Sequence, residues 1–144
     1  MAEERKITFS LKSIHEENFV MKEESPVQEL RVYHLMETEI HPLEEKLYVR
    51  SGIRYSNEED VVLCECVIGI QFGLEDFNSV IHIDEDSKRI NFSSSFIPTF
   101  LNMTYGTLRG VLFEKVKDTY LSSYPLPPIS MQELEKLNHF RIIR

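Results

Sequence analysis

The feature that most constrains this chain is a change of period. From Glu45 to Ser56 apolar and polar residues alternate, with Leu47, Val49, Ile53 and Tyr55 on one side and Lys46, Tyr48, Arg50 and Arg54 on the other. After the polar turn Ser56-Asn57-Glu58-Glu59-Asp60 the alternation resumes from Val61 to Phe72. From Ile97 onward the apolar residues Leu101, Tyr105, Leu108, Val111, Leu112, Val116, Tyr120 and Leu121 recur at helical spacing instead. A period of two puts successive side chains on opposite faces of a strand, whereas a period near 3.6 gathers them on one stripe of a helix. The pattern therefore predicts an antiparallel hairpin within a sheet, followed by a long amphipathic helix, which is an α+β plan.

The flanking segments extend that plan. Ile7, Phe9 and Leu11 alternate with Lys6, Thr8, Ser10 and Lys12 as a half-buried strand, and Ile14 breaks the register ahead of Phe19-Val20-Met21, which predicts a bulge or bend between them. Lys22 to Pro26 reads as a polar connector, and Glu29 to Glu39 fits neither period cleanly and reads as an irregular strand. If the wetter faces of the central hairpin coincide, Arg50 or Arg54 lies across from or diagonal to Glu65. Leu74 to Asp86 ends in the acidic turn His82-Ile83-Asp84-Glu85-Asp86, and Lys88 to Phe92 reads as a short edge strand before Ser93-Ser94-Ser95. Pro98 suits a first helical turn and Gly106 is a weak point, so a short helix followed by a longer one from about Thr104 is expected. Pro125, Pro127 and Pro128 end helical structure by removing donors. Ser130-Met131-Gln132-Glu133 then has the form of a capping box, opening a final helix through Leu134 and Leu137 towards Phe140, with Arg141 to Arg144 as a tail.

Size and charge limit the function. A chain of 144 residues with 42% apolar composition can bury one sizeable core, so one domain spanning 1–144 is expected. Its formal net charge of −8 repels phosphate backbones and argues against nucleic acid as a partner. Met1-Ala2-Glu3-Glu4-Arg5 lacks the basic and apolar regions of a secretory leader, and no apolar run approaches the roughly 20 residues that span a bilayer. A cytoplasmic protein without direct membrane insertion is expected. The two cysteines, Cys64 and Cys66, lie two apart on a strand and so share a face, where they read as small buried hydrophobes.

No motif supplies catalysis. The sequence has no nucleophile elbow, no glycine-rich phosphate loop and no paired histidines at metal spacing, and His15, His34, His41, His82 and His139 fall on unrelated segments. The reading is a non-enzyme with no catalytic residues, no cofactor and no metal. Nine phenylalanines, six tyrosines and five methionines supply the adaptable side chains that peptide binders use.

Several short motifs resemble the SecB family of protein-export chaperones over most of the chain, from about Ile7 to Leu134. Thr8-Phe9-Ser10-Leu11-Lys12-Ser13-Ile14 is similar to the family's opening T-F-x-I-x-x-I strand, with Phe19-Val20-Met21 as its second apolar cluster. Leu63-Cys64-Glu65 matches an L-C-E tripeptide on the third strand, Tyr105-Gly106-Thr107-Leu108-Arg109 resembles a degenerate F-P-Y-A-R at the long helix, and Leu126-Pro127-Pro128-Ile129 resembles the closing L-A-P-V/I turn. The resemblance implies a four-stranded antiparallel sheet packed with a long helix and a C-terminal helix, assembled as a homodimer or homotetramer. It also implies an ATP-independent holdase for unfolded or nascent polypeptides in protein export, with Leu63 and Glu65 as the positions that dock the SecA motor.

The leading expectation is thus a SecB-like holdase that desolvates apolar client groups in a groove beside the long helix, at roughly 25 cal/mol per Å² of apolar area. Cys64, Cys66, Tyr105, Leu112, Val116 and Tyr120 are the candidate groove residues. The alternative is a dedicated interaction protein on the same scaffold, either a chaperone for a single antitoxin-type client or an oligomeric adaptor.

Overall fold

The central hairpin forms as the alternation requires. In the computed structural model, which describes residues 7–23, 27–93 and 95–144, β3 (Lys46–Ser56) pairs antiparallel with β4 (Val62–Leu74). Expectations for Met1 to Lys6, for Glu24 to Pro26 of the connector and for Ser94 fall outside the described residues. Arg54 sits directly across from Glu65, and its Nε donates to the carboxylate at 2.8 Å. Leu47, Val49, Ile53 and Tyr55 of β3 are buried together with Cys64, Cys66, Ile68, Ile70 and Phe72 of β4. The Asn57 carboxamide oxygen closes the turn by accepting from the amides of Glu59 and Val61, which explains a buried asparagine in a polar loop.

The register slips once in this pair, because Tyr55 faces Cys64 but Ser56 faces Val62. Leu63 is the inserted residue. Strict alternation placed it with Glu65 on the wetter face, whereas it is 1% exposed and belongs to the hydrophobic core, while Val62 is turned out to solvent. A bulge re-aims side chains in this way, and period counting has no means of seeing it.

Strand β1 (Phe9–Met21) runs antiparallel along β4 with two such breaks, between Leu11 and Ser13 and between Glu16 and Asn18. Each break resets the alternation, so Phe9, Leu11, Ile14, Phe19 and Met21 all pair with the core-facing residues of β4. The register break read at Ile14 is thus one continuous, twice-bulged strand. The segment that fitted neither period is β2 (Arg31–His41), antiparallel to β3 in unbroken register. Its pattern is obscured because Thr38 lies buried among apolar neighbours while Tyr33 and Leu35 point to the solvated side.

The sheet has five strands, in the order β1-β4-β3-β2-β7. This corrects the expected four antiparallel strands. The fifth, β7 (Asn138–Ile142), pairs parallel with β2 and is formed by residues assigned to the end of the final helix and a tail. The reason is non-local: the Asn138 carboxamide oxygen accepts from the Thr38 hydroxyl at 2.9 Å, and Arg141 reaches Glu37, so the segment finds a ladder one hundred residues back along the chain.

One side of the sheet is covered by α2 (Ile97–Val116), which packs chiefly on β3 and β4. The helix is continuous, not divided near Thr104. Gly106 lies on its solvent side, and the roughly 1 kcal/mol that glycine costs there is outweighed by burial of Phe100, Leu101, Leu108 and Leu112, each contributing about 1.5–3 kcal/mol. Between β4 and α2 the chain forms a short helix, α1 (Phe77–Val80), and a hairpin of β5 (Ile81–Ile83) with β6 (Ile90–Phe92). This hairpin is a separate two-stranded sheet, not an edge of the main one. The closing helix α3 (Met131–Leu137) begins at Ser130, whose hydroxyl accepts from the Glu133 amide at 3.2 Å.

Candidate polypeptide-binding surfaces

The face of the sheet turned away from α2 divides into an acidic half and an apolar half. In the acidic half, Arg50 at the centre of β3 donates from Nε to Glu17 of β1 at 2.6 Å and from one terminal nitrogen to Glu37 and Glu39 of β2, each at 3.2 Å. The bond to Glu17 is the main reason the guanidinium holds its proton even more firmly than usual. Its plane lies over the Tyr48 ring, 5.3 Å from the centroid. Burial, and then the Glu17 carboxylate, push the Tyr48 hydroxyl up to about 12. The Tyr48 ring crosses Gly69 of β4, where any larger residue would fill the space it occupies.

In the apolar half, Tyr33, Leu35 and Val67 border a shallow cleft of about 350 Å³ with Gly52 among its lining residues and the Arg54–Glu65 pair at one side. Val20, across from Glu65 on β1, is more than half exposed.

On the helix side, α2 covers the middle of the sheet and leaves its β1 margin open. Phe9, Leu11 and Ile14 share the core-facing side of β1, yet are 39%, 45% and 51% exposed. Phe9 leans its ring on Phe100 at 4.8 Å, and Lys115 bonds Glu16 at 2.9 Å and lies over Phe19. Among the described residues β1 pairs only with β4, so its outer row of amides and carbonyls has no partner strand. An apolar stripe beside an open ladder is a surface that other chains can extend.

A second helix-side feature is a groove of about 570 Å³ between α2 and the segment that follows it. Its borders include Arg109, Phe113, Tyr124 and Leu126, and Gly106 and Gly110 keep the helix side low. The far wall is proline-rich and therefore short of donors, so side chains supply them. Tyr105 donates to the Pro127 carbonyl at 2.6 Å, Arg109 to that of Leu126 at 3.0 Å, and Tyr55 to that of Tyr124 at 2.8 Å.

The six residues read as groove candidates are distributed unevenly against this geometry. Cys64, Cys66 and Tyr105 are buried in the core, because a strand face under a helix is covered. Burial pushes the Cys64 thiol up to about 12 and the Cys66 thiol to about 11, which keeps both protonated near neutral pH. Leu112 and Val116 are buried too, but they floor the groove beside α2. Tyr120 is partly exposed and spends its hydroxyl on the Lys22 carbonyl at 2.9 Å. Of the two docking positions, Glu65 is accessible but paired with Arg54, and Leu63 is buried. The residues that sequence reading missed are Leu11 and Ile14, assigned to strand one but not to a surface, and Phe113, whose position off the apolar stripe of α2 was the available signal. Among the described residues no group of three or more His, Cys, Asp or Glu converges as a metal site. No helix among them is long and apolar enough to cross a membrane.

The α+β sheet with its covering helix is similar in fold to a solved SecB-like chaperone. A SecB-like chaperone from Mycobacterium tuberculosis, solved in complex with a peptide from an antitoxin, superposes with a TM-score of 0.53 at 14% identity, over 85% of this chain and 90% of that one. A protein of unknown function from Streptococcus agalactiae aligns more loosely, with a TM-score of 0.43 and 9% identity over 88% of this chain and 99% of that one. No protein-family model and no curated protein matches the sequence.

Proposed function

We propose that this protein binds extended, apolar segments of other polypeptides and holds them without hydrolysing ATP or breaking any bond. The observation that carries the reading is the margin of β1, where Phe9, Leu11 and Ile14 remain exposed beside a ladder that no other described strand pairs. A client strand added there would gain main-chain hydrogen bonds and would remove from water side chains contributing about 1.5–3 kcal/mol each when fully buried. The net charge of −8 favours clients with basic flanks.

The same margin can pair with a second copy by a two-fold axis, which is the homodimer on which a homotetramer is built. A solved complex of a SecB-like chaperone with an antitoxin peptide supports polypeptide binding in either version, a chaperone dedicated to one partner or a general holdase in export. SecA docking through Leu63 and Glu65 has less in its support, since Leu63 is buried and Glu65 is held by Arg54.

Light scattering of several unrelated denatured proteins tests the reading. A general holdase slows aggregation of all of them, and a dedicated partner slows one. In both cases the Leu11→Lys, Ile14→Lys double variant, which puts charge on the edge without touching the covered core, abolishes the effect. Suppression that survives this variant unchanged would sink the assignment to β1.

A further inference from the structure

Every residue of β7 is exposed or only partly buried, and its pairing with β2 is the one parallel ladder among the described strands. Three separate features nevertheless hold it in register. On the open face, Arg141 donates to Glu37 at 3.2 Å and lies 3.8 Å from Glu39. On the other face, the Asn138 carboxamide meets Thr38. The Phe140 ring lies 5.4 Å from that of Phe92, at a hollow of about 530 Å³ lined by Ile90, Phe92, Ile97 and Pro98.

These contacts read properties that any extended chain can carry. A main-chain ladder is independent of sequence, Glu37 and Glu39 accept any cation at that position, and the hollow accepts any aromatic ring. β7 satisfies them economically: Phe140 stays 40% exposed, and the Arg141 side chain stays 59% exposed, so its ion pairs are solvent-screened and weak.

We propose that the β2 edge, with Glu37 and Glu39 on one side and the Phe92 hollow on the other, is a docking site for an extended client segment in which an aromatic residue is followed by a cation, and that β7 is its resident occupant, yielding to such a client. The inference rests on the polypeptide-binding reading above and adds the site and the chemistry of the segment. A resident strand lowers the apparent affinity of any competitor by the fraction of molecules in which the edge is free, so loosening β7 exposes the site.

The experiment uses the full chain and a fluorescein-labelled peptide copying residues 138–144, Asn-His-Phe-Arg-Ile-Ile-Arg. The wild-type chain binds it weakly. Arg141→Glu, which sets β7 against Glu37 and Glu39, tightens binding about fivefold, as loss of an ion pair of ~1 kcal/mol predicts. Glu37→Gln with Glu39→Gln in the Arg141→Glu chain reverses the gain, and a peptide with glutamate in place of its first arginine fails to bind. Hydrogen exchange on the wild-type chain gives a readout independent of the variants: saturating peptide deprotects the β7 amides and leaves those of β2 protected. The proposal is overturned if neither chain binds the peptide, if β7 stays protected when the peptide is bound, or if the Arg141→Glu chain doubles its native mass without binding peptide, since the edge then takes the strand of a second copy. Loss of the peptide signal with intact suppression of aggregation rejects this site alone, whereas a wild-type chain that suppresses nothing rejects the polypeptide-binding reading whatever the peptide does.

Discussion

Gly69 is where the open face of the sheet is decided at the scale of one residue. A Cβ there overlaps the Tyr48 hydroxyl and ring, so Gly69→Ala must swing the ring away and remove the surface on which Arg50 lies. The expected cost is about 1–3 kcal/mol, read as a lower urea midpoint, and Tyr48→Thr in the same chain recovers part of it. The two thiols make a second prediction at this scale. Folding holds their protons to about 12 for Cys64 and about 11 for Cys66, chiefly through burial, whereas an unfolded thiol releases its proton near ~8.5. Above that pH the unfolded chain binds fewer protons than the folded one, so stability is fully present below about pH 8 and falls as pH rises towards 11. Tyr48 and Tyr55, raised in the folded state by burial, act in the same direction. Urea midpoints should be flat from pH 7 to 8 and decline by pH 10, with Cys64→Ala, Cys66→Ala reducing the slope.

At the scale of elements, α2 shows how a helix can be stable on one side and deliberately bare on the other. Gly106 and Gly110 are helical, solvent-facing and clear of neighbours, since a Cβ at either meets nothing within 4 Å. Gly106→Ala and Gly110→Ala should therefore each stabilise the chain by roughly 0.5–1 kcal/mol, seen as a higher midpoint of thermal unfolding. If the groove beside Phe113 is a client surface, the same variants fill it, and aggregation suppression falls as stability rises. β1 makes the complementary case. Its first bulge keeps Ile14 on the helix side with Phe9 and Leu11, and although Phe9 reaches Phe100 of the helix, Leu11 and Ile14 stay about half exposed.

For the whole molecule, the consequence is a protein whose core is closed but whose sheet ends in two different edges. The β2 edge is occupied by β7, and the β1 edge is open among the described residues. Long open edges are aggregation hazards unless covered, and the two occupants proposed for β1, a second copy and a client, would compete for the same edge. Native mass measurement should give a dimer or a multiple of one for the wild-type chain, and Leu11→Lys, Ile14→Lys should shift it to the monomer, with a urea midpoint that is lower than that of the wild type and no longer depends on protein concentration.

Much of this was legible in the residues themselves. The β3–β4 hairpin, an arginine of β3 beside Glu65, the buried stripe of α2 and the Ser130 cap follow from local period and turn chemistry, which act over a few residues and leave a direct trace in sequence. The position of Leu63, the fifth strand and the exposure of Leu11 and Ile14 leave no such trace. A bulge shifts a register by one residue without altering composition, β7 forms because Thr38 and Glu37 lie beside it in space, and a strand's apolar face is core or binding surface according to whether another element covers it. The sequence by itself determined the central hairpin, the long helix and the apolar stripe that the helix buries; only the tertiary structure decided where bulges reset a strand's faces, that the C-terminal segment adds a strand, and which apolar sides stayed open, because each of these is a relation between distant segments and not a property of either one.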